Sequence, residues 1–162
     1  MGWRTTHLYE FKAGQRRIGE PAPPSPMTEF FGKDRTQDAS RIKLGGLGFK
    51  DKDRFTYLYD FGDDWEHQIV VEKTECPQAE AGRVLCLDGA RACPPEDCGG
   101  VWGYMALLEA LEEPGESEPG GQREWLEQVH GRHDPEHFDP AEINARLAGF
   151  NPLGKNHSTP RR

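Results

Sequence analysis

Residues 54–73, RFTYLYDFGDDWEHQIVVEK, carry the pattern that decides the fold. Phe55, Tyr57, Tyr59 and Phe61 fall on one face of a first strand, because successive side chains along a strand point to opposite sides. Gly62-Asp63-Asp64 supplies a turn. Beyond it Trp65, His67, Ile69 and Val71 share one face of a second strand, with Glu66, Gln68 and Glu72 on the other. The product is an aromatic hairpin with one face apolar enough to cover a core. Each buried aromatic side chain is worth roughly 1.5–3 kcal/mol against water, so this hairpin is expected to be the largest packing element.

Upstream, His7 to Phe11 alternates with His7, Tyr9 and Phe11 on one face and Leu8 and Glu10 on the other, a short strand followed by a turn at Gly14. The prolines of Gly19 to Pro26 remove donors and fix φ, which makes that stretch a loop with polyproline character. Residues 27–53 are weakly patterned, and Gly45, Gly46 and Gly48 break up Ile42, Leu44, Leu47 and Phe49, so a helical turn is the most they support. The GGLG stretch has no Lys-Ser/Thr and follows no strand, which excludes a phosphate loop.

Downstream of Gly99-Gly100 the period changes. Val101, Met105, Leu108 and Leu111, or Trp102, Met105 and Leu108, line a helical face that Pro114-Gly115 ends. A polar loop, Gly115 to Gly121, leads to a shorter helix marked by Trp125, Leu126 and Val129. A third helix starts at a cap Asp139 with Pro140 at its first position and Glu142 at the capping-box position, stacks Ile143 on Leu147, and stops at Gly149. Strands precede helices, so the fold class is α+β: one domain over residues 1–150, helices packed on the sheet, and a frayed tail over 151–162.

A formal charge of −8, from 20 basic against 28 acidic residues, repels a phosphate backbone and argues against nucleic acid as a partner. No window reaches the roughly 18 apolar residues of a membrane span, and the first residues lack a signal peptide's apolar stretch. The expectation is a soluble, cytoplasmic chain that meets other proteins. In a reducing compartment the four cysteines point to metal, redox chemistry or burial rather than to structural disulfides.

Cys86, Cys93 and Cys98 lie in CLDGARACPPEDCGG and could present three thiolates to Zn²⁺, with Cys76, His67 or one of His130, His133 and His137 as a fourth ligand. Only Cys93 and Cys98 have the close spacing of a zinc knuckle; Pro94-Pro95 would stiffen the loop between them. Small buried thiols in a packed loop, or a Cys93–Cys98 redox pair, account for the same residues. Asp60, Asp63, Asp64 and Glu66 crowd the hairpin turn and could hold Mg²⁺ or Mn²⁺, although Asp favours turns for its local hydrogen bonds alone. His67, on the aromatic face, reads as a hydrogen-bonded core histidine before it reads as a ligand or proton carrier. Glu96 and Asp97 favour the positive end of the helix that follows.

YDFGDDWEH, CLDGARACPPEDCGG, GYMALLEAL and FDPAEIN, in this order and spacing, resemble the plasmid pRiA4b ORF-3-like family, also described as passenger TnpR-type proteins of insertion elements. The resemblance runs from about Met1 to Leu147 and implies a mixed α/β domain with no established activity. It also implies a preceding strand pair and helix, so that Met1-Gly2-Trp3 reads as the start of an N-terminally truncated family domain. The histidines that the family often carries after its first C-terminal helix are absent from Pro114 to Gly121. Resolvase chemistry is not visible. Ser25, Ser40, Ser117 and Ser158 all lie in loop-like or polar contexts rather than among arginines, within an acidic chain.

Three functional expectations follow. The first is a non-catalytic protein-interaction module in which the Cys86 to Gly100 loop, with or without zinc, fixes sheet to helices. The second is a metal-dependent hydrolase built on Asp60, Asp63, Asp64 and His67. The third is a non-functional truncated fragment.

Overall fold

The computed structural model describes residues 2–4, 6–21, 36–74, 84–112, 121–131 and 133–150, with the backbone alone for 122, 123 and 130. The expected polar loop before Gly121, the tail beyond 150 and Cys76 lie outside the described residues. Two compact units are present: residues 1–74 with 93–133, and residues 75–92 with 134–162.

The first unit is built on a mixed sheet of five strands. They are β1 (Tyr9–Ala13), β2 (Arg16–Gly19), β3 (Gln37–Asp38), β4 (Arg54–Tyr59) and β5 (Trp65–Val70), in the order β3-β2-β1-β4-β5. The anticipated hairpin is β4 and β5, antiparallel with Tyr59 opposite Trp65, Tyr57 opposite His67 and Phe55 opposite Ile69. This register puts the aromatic faces of both strands on one side, where Phe55, Tyr59 and Trp65 are buried with Ile18, Leu107 and Leu126. Trp3 stacks on Tyr59 at 4.8 Å, Phe49 on Phe55 at 4.8 Å and Phe11 on Tyr57 at 4.7 Å, so ring contacts knit the sheet to its flanking segments.

The hairpin's first strand ends earlier than its alternation predicts. Asp60 turns to φ +56°, its carboxylate accepts from the Gly62 amide at 2.9 Å, and Asp64 N–H closes the loop onto the Asp60 carbonyl at 2.6 Å. Phe61 therefore leaves the sheet and is exposed. The connection is the five-residue loop Asp60 to Asp64 rather than a three-residue turn.

On the opposite face of β1 the polar Glu10 is 3% exposed, which the alternation did not foreshadow. Arg17 of β2 pairs with it and the Lys12 ammonium lies 3.9 Å away, so the buried carboxylate is neutralised where it sits. Strand β2, four residues with two arginines, is too short to show a period. The anticipated helical turns in 27–53 are 3-10 turns at Ala39–Arg41 and Leu44–Leu47.

Helix α1 (Gly100–Glu112) and α2 (Gln122–His130) complete this unit. Leu107 of α1 and Leu126 of α2 are buried, and the Tyr104 ring meets Trp65 edge-on at 6.4 Å, which seats α1 on the sheet. The buried line of α1 is thus not the one expected: Val101, Trp102 and Met105 face solvent. Since VWGYMALLEAL is apolar nearly all round, periodicity alone could not choose the inward face.

In the second unit α3 (Pro140–Leu147) starts as anticipated, the Asp139 carboxylate accepting from the Ala141 amide at 2.7 Å and Pro140 in the first turn. Glu142 does not close a capping box; its carboxylate bonds the His137 imidazole at 3.1 Å and holds that group's pKa above the usual histidine value. No helix among the described residues is long and apolar enough to cross a membrane.

Candidate functional site

Three loops of the first unit converge beside β4: the segment leading into β1, the Asp60–Asp64 loop, and the Pro94–Gly99 stretch before α1. Trp3 Nε1–H donates to the Pro94 carbonyl at 2.8 Å, and the Gly99 amide donates to Asp63 Oδ2 at 3.1 Å. Tyr59 Oη donates to Glu96 Oε1 at 2.5 Å, and the Arg4 amide and Thr6 hydroxyl reach the same oxygen at 3.2 and 3.4 Å. Burial, reinforced by that Glu96 carboxylate, raises the Tyr59 pKa and keeps the phenol a donor at neutral pH.

At the centre His7 lies between two aspartates. Its Nδ1 is 3.4 Å from Asp60 Oδ2 and its Nε2 is 3.1 Å from Asp97 Oδ1. Asp60 is buried and is aimed by the backbone, since its other oxygen already accepts the Gly62 amide. Asp97 sits at φ +59° and is largely exposed. Ligand atoms of His7, Asp60 and Asp97 all lie within 4.8 Å of one another, the one such set of three among the described residues.

The four residues singled out for a metal-dependent hydrolase take separate roles. Asp60 faces His7, Asp63 caps the chain before α1, and Asp64 is exposed at φ +57°. His67 bonds the Tyr57 carbonyl through Nδ1 at 3.2 Å and packs edge-on against Trp3 at 5.3 Å. The sequence pattern puts His7 on the aromatic face of its strand and Asp97 before a helix, but the two lie 90 positions apart and no spacing links them.

Cys86, Cys93 and Cys98 are free thiols. Cys93 and Cys98 bracket the Pro94–Asp97 stretch of the first unit. Cys86 belongs to the second unit, where its backbone is clamped by Asn144: its N–H donates to Oδ1 at 2.7 Å and its carbonyl accepts from Nδ2 at 2.9 Å. His133 lies 3.5 Å from the Tyr104 hydroxyl and His137 holds Glu142.

Burial raises the Cys93 pKa. Burial, reinforced by the Asp63 carboxylate, pushes Cys98 up to about 11. At pH 7 the Cys98 thiolate is then about one part in ten thousand, against a few per cent for an unperturbed cysteine. Iodoacetamide is therefore expected to label Cys98 about two orders of magnitude more slowly than a free cysteine, with a rate still climbing tenfold per unit between about pH 9 and 10. Site-resolved mass spectrometry reads this directly, and a rate that levels off near pH 8.5 would show that neither burial nor the Asp63 carboxylate acts on the thiol.

The family model described as plasmid pRiA4b ORF-3-like protein matches residues 1–142. The uncharacterised protein y4hQ of Sinorhizobium fredii is 40% identical over 126 residues, which are 77% of this chain and 61% of that protein. The chain thus spans about three fifths of that curated relative's length. A crystal structure of a protein of unknown function from Methanosarcina mazei Go1 is similar, with 31% identity and a TM-score of 0.63, over 88% of this chain and 75% of that one.

Proposed function

The chain belongs to the plasmid pRiA4b ORF-3-like protein family, and from that premise we propose that it is a non-catalytic protein-interaction module whose docking surface is the solvent face of α1. One observation carries the reading: Trp102 is 81% exposed, with Val101 and Met105 exposed beside it. Large apolar side chains grouped on one helix face have no reason to stay in water unless something covers them. At 100° per residue, Val101, Trp102, Met105, Glu109 and Glu112 fall within an arc of about 100°, so the face is apolar at its start and acidic at its end.

That composition selects the partner's chemistry: an amphipathic helix with apolar anchors flanked by lysine or arginine. The net charge of −8 works the same way, attracting basic segments and opposing nucleic acid. A second copy fits less well, since it would set Glu109 and Glu112 against like charges or against apolar side chains. Zn²⁺ on the Cys93 and Cys98 thiols would be structural in this reading, holding the loop before α1 without touching the docking face. A hydrolase on Asp60, Asp63, Asp64 and His67 is less well supported, because those side chains serve separate partners.

A designed leucine–lysine helical peptide, compared with its leucine–glutamate counterpart, tests the proposal. The lysine peptide is expected to bind saturably, at least about tenfold more tightly than the acidic one, and to shift indole emission to the blue. Trp102→Ala should remove that shift and weaken binding about 30-fold, the effect of losing an aromatic anchor worth about 2 kcal/mol. Equal binding of both peptides, or unchanged affinity in the variant, overturns the reading. Because Trp102 faces water, its removal leaves the core intact.

A further inference from the structure

We infer that the outer edge of β5 pairs with the same edge of a second copy of this chain, joining two sheets into one across a two-fold axis at Gln68. The sheet has two edges, β3 and β5, and they are built differently. β3 is two residues long, too short to act as a template for a further strand. β5 has six residues, WEHQIV, and contains neither proline nor lysine, the residues that ordinarily blunt an edge. Among the described residues no strand lies beyond it.

Hydrogen-bond parity identifies the groups at this edge. The Asp60 amide donates to the Leu8 carbonyl at 2.9 Å, and the Val71 amide donates to the Asp53 carbonyl at 2.9 Å. The backbone groups of successive residues in a strand point to opposite sides. The even-numbered residues of β4 therefore bond toward β1 and its odd-numbered residues toward β5, and the odd-numbered residues of β5 are turned back to β4. This leaves the N–H and C=O groups of Glu66, Gln68 and Val70 at the edge, and all three residues are exposed.

A second copy matches this edge in charge as well as in backbone. With Gln68 opposite the partner's Gln68, Glu66 stands opposite the partner's Val70, and each facing pair exchanges both of its N–H···O bonds. The two Glu66 carboxylates then lie four residues apart along the ladder, about 13 Å, so like charges do not meet. The partner's Glu66 falls instead in the row of Arg54, which β4 places opposite Val70. Two strand spacings, about 10 Å, separate them, and the long Arg and Glu side chains span that gap. Arg54 gives one nitrogen to Gln68 Oε1 at 2.9 Å and keeps further donors for the carboxylate. On the aromatic face the same register sets Trp65 against the partner's Val71 and His67 against the partner's Ile69, covering side chains that are half-buried in the single chain. An unrelated extended segment would meet the same backbone groups without these pairings, so the second copy is the occupant. The residues of this edge and of the α1 docking face do not overlap.

Sedimentation velocity of the reduced full chain, from about 1 to 500 µM, tests the inference. The mass is expected to rise from that of one chain toward that of two, with Kd of about 10–100 µM, as suits an interface at the small end of the range. Over the same concentrations amide hydrogen exchange should slow at Glu66, Gln68 and Val70. Gln68→Lys sets like charges opposite each other on the axis, and Gln68→Pro removes an edge donor without touching a bond to β4. Each should raise the dimer Kd at least about tenfold while the far-ultraviolet circular dichroism stays that of the parent, and Trp102→Ala should leave it unchanged. A mass of one chain throughout overturns the inference and leaves the edge solvated or open to a foreign segment. A dimer that persists unchanged in either Gln68 variant, or is lost in Trp102→Ala, is joined elsewhere and overturns it equally.

Discussion

Gly103→Ala is expected to destabilise the sheet-bearing unit by about 3–5 kcal/mol, close to the whole stability of a small unit. A Cβ built on Gly103 would lie 1.8 Å from the Cys98 carbonyl oxygen and 2.8 Å from its carbon. Both are backbone atoms and cannot rotate away. The loop before α1 has to move as a body, and the Asp63 contact to Gly99 and the Trp3 contact to Pro94 move with it. Gly100 is comparably restricted: its φ is +66° and a Cβ there would meet the Asp63 carbonyl oxygen at 2.2 Å. Gly14 is the control, with a similar φ of +60° but open space around it, so Gly14→Ala should cost only about 1 kcal/mol of backbone strain. Urea titrations followed by far-ultraviolet circular dichroism rank the three. A Gly103→Ala midpoint no lower than that of Gly14→Ala would mean that the loop before α1 yields easily.

That close approach explains much of what could and could not be read in advance. The Gly99-Gly100 pair was legible as a helix start and the Asp139-Pro140 pair as a helix cap, because such signals act within a few residues. The hairpin was legible because aromatic residues alternate along both arms, and alternation is itself the geometry of a strand. Its end was not, since Tyr57, Tyr59 and Phe61 continue the pattern while Asp60 turns into the left-handed region. Nothing in the composition of that stretch shows the backbone amides that hold Asp60 there. The helix α1 was evident, but its inward line was not, because Leu107 and Met105 are both apolar and the choice between them is made by tertiary packing, with Tyr104 edge-on to Trp65 and Leu107 buried.

The site was the least legible part for a similar reason. Carboxylates at 60 and 63 were conspicuous, and His67 was the histidine nearest in sequence. Alternation, however, gives His67 to the Trp3 and Tyr57 rings and leaves the aspartate to a histidine 53 residues upstream. Pairing across such separations comes from sheet order: β1 lies against β4, with Tyr9 opposite Tyr59, so His7 arrives beside the residue that follows Tyr59. A reader with the strand order in hand would have found His7. Without it, the only hint was that His7 shares a face with Tyr9 and Phe11.

Tyr59→Ala is expected to cost about 3–5 kcal/mol and to dismantle the convergence of loops at His7. Tyr59 is 2% exposed, stacks on Trp3 at an interplanar angle of 12°, meets the His7 ring edge-on, and donates to Glu96. Truncation leaves a cavity under Trp3 and removes the hydroxyl that holds Glu96 beside Asp97. Tyr59→Phe separates the two contributions. The ring and its stacking remain, but a short hydrogen bond to a charged partner is lost, a change of about 1.5–3 kcal/mol where the carboxylate has few other donors. Here the Arg4 amide and Thr6 hydroxyl still reach Glu96, which places the expected cost near the lower end, about 1.5 kcal/mol. The phenol's raised pKa sets the direction with pH: the group binds its proton more tightly folded than unfolded, so its contribution is full below about pH 10, the unfolded value, and lost as pH rises through the folded one. Parent and Tyr59→Phe stabilities should therefore differ by a constant amount from pH 6 to 9 and converge at more alkaline pH. If the alanine variant were no less stable than the phenylalanine variant, the Trp3–Tyr59 stack would not be a source of the unit's stability.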